Sequence, residues 1–207
     1  MCKLKSAIIL KDRVFVPDYD SHTEMLKELK IEDTKKNAER LFVRAELLPK
    51  GGDVFSPIES WEFRVDQDVR PDWFVEEYES GRMVEAVREW AAKHIYIGVN
   101  NLELCDGGTY YIKDCRDVIV RGSASIKAYG SASVKAYDSA SVEACGSASV
   151  KACDSASVEA YGFAIVFNSV FLKWDNQNKI ILSENATFKD NVGKIIYQSG
   201  DWEFRRV

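Results

Sequence analysis

Five copies of an eight-residue phrase run without interruption from Gly122 to Tyr161, each readable as G/D-S-A-S-V-K/E-A-Y/C with Ile126 in the valine place of the first. Alternation along the phrase sets Ala124, Ile126 and Ala128 on one face of an extended chain and Ser125 and Lys127 on the other. One phrase cannot fold alone. Burying its single branched side chain is worth ~1.5–3 kcal/mol and the alanines add little, while ordering eight backbone units costs roughly 1–2 kcal/mol each. Copies must therefore stack. Strands about 4.8 Å apart pair their backbones and align alanine and valine into a continuous thin core, which predicts a β-solenoid.

The number of phrases per coil is open at this level. A sixteen-residue coil aligns Gly130, Gly146 and Gly162 in one corner and Asp138 over Asp154, and it stacks Lys135 on Lys151. A twenty-four-residue coil instead pairs Lys135 with Glu159 and stacks Lys127 on Lys151. The two-sided form is favoured, because Ala-Val-Ala faces close against each other and fill a wider prism poorly.

Outside the repeat the reading is mixed. "SAIILKDRVFVP" predicts strands at Ala7–Leu10 and Val14–Val16 joined by a polar turn. Ser21 and Glu24 form a capping box ahead of Met25, Leu26 and Leu29. "RLFVRAELLP" and "ESWEFRVD" predict two more strands around a Pro49-to-Asp53 turn. Beyond Pro71, "DWFVEEY" predicts a short helix capped by Asp72, and "RMVEAVREWAAKH" a second one with Met83, Val87, Trp90, Ala91 and His94 on its inner face. After the repeat, "GFAIVFNSVFLKW" keeps the frame but places Phe163, Ile165, Phe167 and Phe171 at formerly polar positions, and "SENATFKD" reads as a last degenerate phrase. The expected class is α+β. It comprises an α/β head at 1–114, an octapeptide solenoid at 115–190, and C-terminal capping strands at 191–207.

The formal charge of −5 and pI near 5.2 disfavour direct binding to a phosphate backbone, so no nucleic-acid partner is expected. No apolar run reaches membrane-spanning length and the start lacks a signal-peptide pattern, which predicts a cytoplasmic protein. Five cysteines without paired-motif spacing fit reduced thiols, and Cys145 and Cys153 in tyrosine places read as packing residues.

Chemical signals are sparse. The two histidines, His22 and His94, sit at a helix start and a helix end, where packing and the helix dipole account for them. Metal, redox and nucleophile-elbow motifs are absent from the sequence, so neither enzyme activity nor a cofactor or metal is expected. "GGDVF" at 51–55 resembles the signature of cyclic-dinucleotide synthases but lacks its second acidic residue and falls in a turn. The acidic cluster Glu76, Glu77 and Glu79 reads as a solvated helix face before it reads as a metal site. Together with Phe163, Phe167, Phe171 and Trp174 it makes the candidate interaction surface.

The S-A-S-V-K/E-A-Y-G/D phrase resembles octapeptide arrays in uncharacterised proteins of phages, prophages and mobile elements of gut Firmicutes, and "WEFRVDQDVRPDWFVEEYE" resembles the segment preceding such arrays. That family brings no activity and no site residues. The resemblance implies a context in the bacterial host cytoplasm. The leading expectation is a non-catalytic interaction protein, in its sharper form a phage-encoded inhibitor of a basic defence effector such as a CRISPR nuclease. The alternatives are a self-assembling scaffold, including a homodimer, and an enzyme using Asp66, Asp68, Asp72 or His94 where head meets solenoid.

Overall fold

Lys5 to Leu10 form β1, which is buried along its whole length, charged end included. The strand starts two residues before the apolar run because Lys5 and Ser6 are held from outside. Lys5 Nζ donates to Asp20 Oδ1 at 2.9 Å and to the Tyr19 carbonyl at 3.3 Å, and lies 4.6 Å from the Trp90 ring centroid. The Ser6 N–H also donates to Asp20. β2 (Val14–Phe15) returns antiparallel beside β1. The computed structural model describes residues 5–168, 180–189, 195–198 and 202–204. The chain divides into two compact units, Met1–Lys93 and His94–Val207.

In the first unit α1 (His22–Glu28) begins as the sequence predicts, with the Ser21 hydroxyl accepting the Glu24 N–H at 3.3 Å. Its Met25 and Leu26 join Ile8, Ala38 and Phe42 in one apolar cluster. The short α2 (Lys35–Ala38), capped by Thr34, was not readable as a periodic segment because it is a single turn. β3 (Phe42–Leu48) and β4 (Glu62–Val65) complete a sheet of order β2-β1-β3-β4. The 51–55 segment is the turn expected of it, with Gly51 and Gly52 at φ of 65° and 78°.

One helix, α3 (Glu76–His94), replaces the two expected after Pro71. Residues 72–75 are not its first turn. The Phe74 N–H closes a turn on the Pro71 carbonyl, and the Trp73 indole donates to the Arg40 carbonyl at 2.8 Å. Gly81 does not break the helix, since its cost of ~1 kcal/mol is outweighed by burying Met83, Val87 and Ala91 on one face.

The second unit is a β-solenoid. Its rungs are β5 (Ile95–Ile97), β6 (Glu103–Leu104), β7 (Thr109–Lys113), β8 (Val118–Val120), β9 (Ser125–Tyr129), β10 (Ser133–Ala136), β11 (Ser141–Ala144), β12 (Ser149–Ala152), β13 (Ser157–Ala160) and β14 (Ile165–Asn168). Odd-numbered rungs build one parallel sheet and even-numbered rungs the other. Val142 pairs with Ile126 and Val158, a step of 16 residues, so each coil is two phrases and the solenoid is two-sided. The coils begin at Ile95, so residues 95–114, expected in the head, are rungs. Their phrase differs but their alternation does not: Tyr110 and Ile112 continue the inward columns of Ile126 and Ala128.

At the far end, β15 (Ile180–Leu182) and β16 (Thr187–Lys189) extend the two sheets in parallel, with Ala186 buried and Phe188 packed on the core as the degenerate phrase predicts. β17 (Ile195–Gln198) and β18 (Trp202–Phe204) then pair antiparallel with β16 and β15. The corners explain the Gly/Asp position. Gly122, Gly130, Asp138, Gly146, Asp154 and Gly162 all have φ between 50° and 73°, the left-handed region that glycine enters freely and aspartate more readily than most residues. Where aspartate stands it holds the adjacent coil: Asp138 Oδ2 accepts the Gly122 N–H at 3.0 Å, and Asp154 Oδ2 the Asp138 N–H at 3.3 Å.

Candidate functional site

In the head, the carboxylates weighed for catalysis stand in different surroundings. Asp66 lies 3.4 Å from His22 Nδ1, while His22 Nε2 faces the Ala45 carbonyl at 3.2 Å, so the imidazole ties α1 to the sheet. Asp68 lines an open cavity of about 390 Å³ with Asp33, Lys35, Arg44 and Gln67. Arg44 is paired with Asp33 there. Gln67 is spent on the backbone, accepting the Arg44 N–H at 2.8 Å and donating to the Phe42 and Val69 carbonyls at 3.2 and 2.6 Å. Asp72 is exposed. His94 is buried, its ring stacked on Tyr110 at 5.4 Å between centroids. Among the described residues no group of three or more His, Cys, Asp and Glu is placed to hold a metal ion, and no helix is long and apolar enough to cross a membrane.

The candidate interaction residues fare differently from one another. Glu76 pairs with Arg70 at 2.6 Å and Glu77 is exposed, but Glu79 is only 3% exposed and bound to Arg82 at 2.7 Å. Arg82 also reaches the Leu10 carbonyl, so this glutamate anchors α3 to the sheet and offers a partner nothing. Phe163 projects from a corner at 69% exposure. Phe167 stands on the outer face of β14 with Lys189 Nζ 5.7 Å from its ring. Phe171 and Trp174 lie outside the described residues.

The outer faces of the solenoid carry an arrangement that none of those residues announced. Each face presents a serine column, Ser125–Ser141–Ser157 on one and Ser133–Ser149 on the other, beside a column of larger side chains. On the odd-rung face the larger column runs Tyr111–Lys127–Glu143–Glu159–Ile181. On the even-rung face it runs Ile119–Lys135–Lys151–Phe167–Lys189. Lysine and glutamate alternate along the sequence from Lys135 to Glu159, and a two-phrase coil sends every second one to the same side. Alternation in sequence thus becomes segregation in space, with Glu143 directly beside Glu159 on one face and Lys135 directly beside Lys151 on the other. The signal was in the sequence but needed the coil length to be decoded.

Partial neutralisation occurs toward the N-terminal rungs. Lys127 Nζ is 3.1 Å from Glu143, and Lys135 Nζ is 3.9 Å from Asp117. Partial burial works against the charged form of Lys127, but the hydrogen bond and charge of Glu143 outweigh it and raise its pKa above the ordinary lysine value.

Tyr129, Cys145 and Tyr161 edge the acidic face and are half-buried, the packing role expected from the tyrosine-to-cysteine exchange. Burial, with Glu143 adding to it, pushes the Cys145 thiol and the Tyr129 hydroxyl up. The thiol therefore stays protonated near neutrality and is a weak nucleophile. On the opposite side, Arg121 lies over the Tyr137 ring at 4.6 Å and pairs with Glu103 at 3.2 Å. Neither the family models, nor the curated proteins, nor the solved structures contain a match to this chain.

Proposed function

We propose that the protein is a non-catalytic interaction module whose solenoid faces bind another protein by charge complementarity. The observation that carries this reading is the segregation of Lys135 and Lys151 from Glu143 and Glu159. In-register like charges lower the stability of a sheet, and the same residues arranged oppositely would raise it. A fold that accepts this cost gains from it when each face meets an opposite charge. The serine columns keep both faces low, so a flat partner can approach the charged row.

In its specific form the acidic face, edged by Tyr129 and Tyr161, occludes a basic surface on a defence effector in the bacterial host cytoplasm. Overall negative charge favours such encounters at long range. The test is affinity capture of a purified effector of this kind by the wild-type chain and by the Glu143→Lys/Glu159→Lys variant. The expected result is loss of capture by the variant. Equal capture by both would remove the acidic face from the interaction.

A further inference from the structure

The surface that best matches the acidic face is on the chain itself. We infer that the even-rung face of one copy docks on the odd-rung face of a second copy, lysine row against glutamate row. This deepens the interaction reading and rests on it. Both rows belong to the same stack, so both have the strand spacing of about 4.8 Å as their repeat. Two charges on one copy therefore meet two charges on the next without mismatch. With the two stacks parallel and offset by one coil, Lys135 falls opposite Glu143, Lys151 opposite Glu159, and Phe167 opposite Ile181. The half-buried Phe167 and Ile181 give the contact an apolar end beside its ionic rows.

The like-faced alternatives are disfavoured. Aligned in register, two even-rung faces would oppose Lys135 and Lys151 to lysines, and two odd-rung faces would oppose Glu143 and Glu159 to glutamates and Lys127 to a lysine. A face-to-opposite-face contact is heterologous, so each added copy still presents one lysine face and one glutamate face. Assembly then continues past the dimer. Because both rows are at least partly open to solvent in the single copy, the contact weakens as salt shortens the Debye length from about 10 Å at 0.1 M to about 3 Å at 1 M.

Sedimentation velocity on the full chain, across a concentration series at about 0.1 M and about 1 M salt, tests this directly. The expected result is a weight-average mass that rises with concentration beyond that of a dimer at low salt and returns to the monomer at high salt. Lys135→Glu/Lys151→Glu makes both faces acidic and Glu143→Lys/Glu159→Lys makes both basic, so each variant alone stays monomeric. An equimolar mixture of the two associates again. Circular dichroism confirms that each is folded, and if either is not, the single changes Lys151→Gln and Glu159→Gln replace it, with an expected severalfold weakening. A wild-type chain monomeric at every concentration in low salt, or a mixture that does not regain association, overturns the inference. A monomeric chain that still captures the effector through Glu143 and Glu159 overturns self-docking alone, whereas failure of both measurements overturns the interaction reading as well.

Discussion

If the lysine row is kept for a partner and not for the fold, reversing one of its charges must stabilise the isolated chain. Lys151→Glu places a carboxylate in register with Lys135, turning a repulsion into an attraction on the same rung pair. Two unit charges about 4.8 Å apart in water interact by ~0.9 kcal/mol, and screening at physiological salt roughly halves this. Moving from repulsion to attraction doubles the remainder, so the expected gain is ~0.5–1 kcal/mol, in line with measured cross-strand pairs of 0.2–1 kcal/mol. For a chain of this length the melting temperature should rise by about 1–4 °C. The assay is urea and thermal denaturation by circular dichroism, at protein concentrations where sedimentation shows only monomer, since association would otherwise add to apparent stability. At about 1 M salt most of the gain should vanish. Lys151→Met, which removes the repulsion without adding an attraction, should give about half of it. A variant less stable than wild type at low salt, or a gain indifferent to salt, would refute the reasoning, because the lysine row would then be contributing to the fold.

Three further outcomes follow from the corners and the core. Gly130→Ala should destabilise by at least the ~1–2 kcal/mol of a left-handed alanine, because Gly130 has φ 65° and a Cβ there would stand 2.2 Å from Asp114 Oδ1; urea denaturation measures it, and a neutral result would contradict the corner geometry. Asp114 accepts the Ser131 N–H at 2.8 Å and the Ser131 hydroxyl at 3.0 Å, and these bonds hold its pKa below the ordinary aspartate value. A lowered folded-state pKa means its contribution is complete above the unfolded value of about 4 and is lost as pH falls through that value to the folded one, so acid titration of Asp114→Asn should show a shallower loss of stability there. Val142→Ala, at 1% exposure between Ile126 and Val158, should cost ~2–3 kcal/mol: about 1.6 for two methyl groups and the rest for the cavity left, read by denaturant midpoint.

The parts of the molecule that read correctly from sequence are those where local and long-range forces agree. The Ala-Val-Ala phrase specifies a rung, and because it recurs it also specifies its neighbours, so strand, core and stacking follow from one pattern. The Ser21 cap and the β3 alternation are legible for the same reason. The misreadings arose where distant residues decided. The sequence predicts two helices in place of α3, which continues through Gly81 because buried residues, Glu79 before it and Met83 after it, lie on both sides of the glycine. Lys5 lies before the strand expected at Ala7–Leu10, yet it is buried within β1, because Asp20 and Trp90, remote in sequence, receive its charge. Residues 95–114 looked like head because their rungs use Tyr110, Ile112 and Leu104 in place of alanine and valine, although the inward spacing was already that of the coils.

The candidate surface shows how a site can be written in a sequence and remain unreadable there. Lys135, Glu143, Lys151 and Glu159 look like ordinary alternating surface charge, the arrangement expected of a solubilised strand array. Their meaning depends on one number, the residues per coil. At three phrases per coil Lys135 would stand beside Glu159 as an opposite-charge pair, with Lys127 beside Lys151 on another side. At two phrases per coil the same letters make two rows of opposite sign on opposite faces. The repeat could vary its sixth position in either phase without disturbing the Ala-Val-Ala core, which lies on the other side of the strand. That position is therefore free of the fold's demands, and at the Lys135–Lys151 and Glu143–Glu159 pairs the phase it adopts opposes the fold's interest. Among the described residues it is a place where packing does not account for the choice of residue.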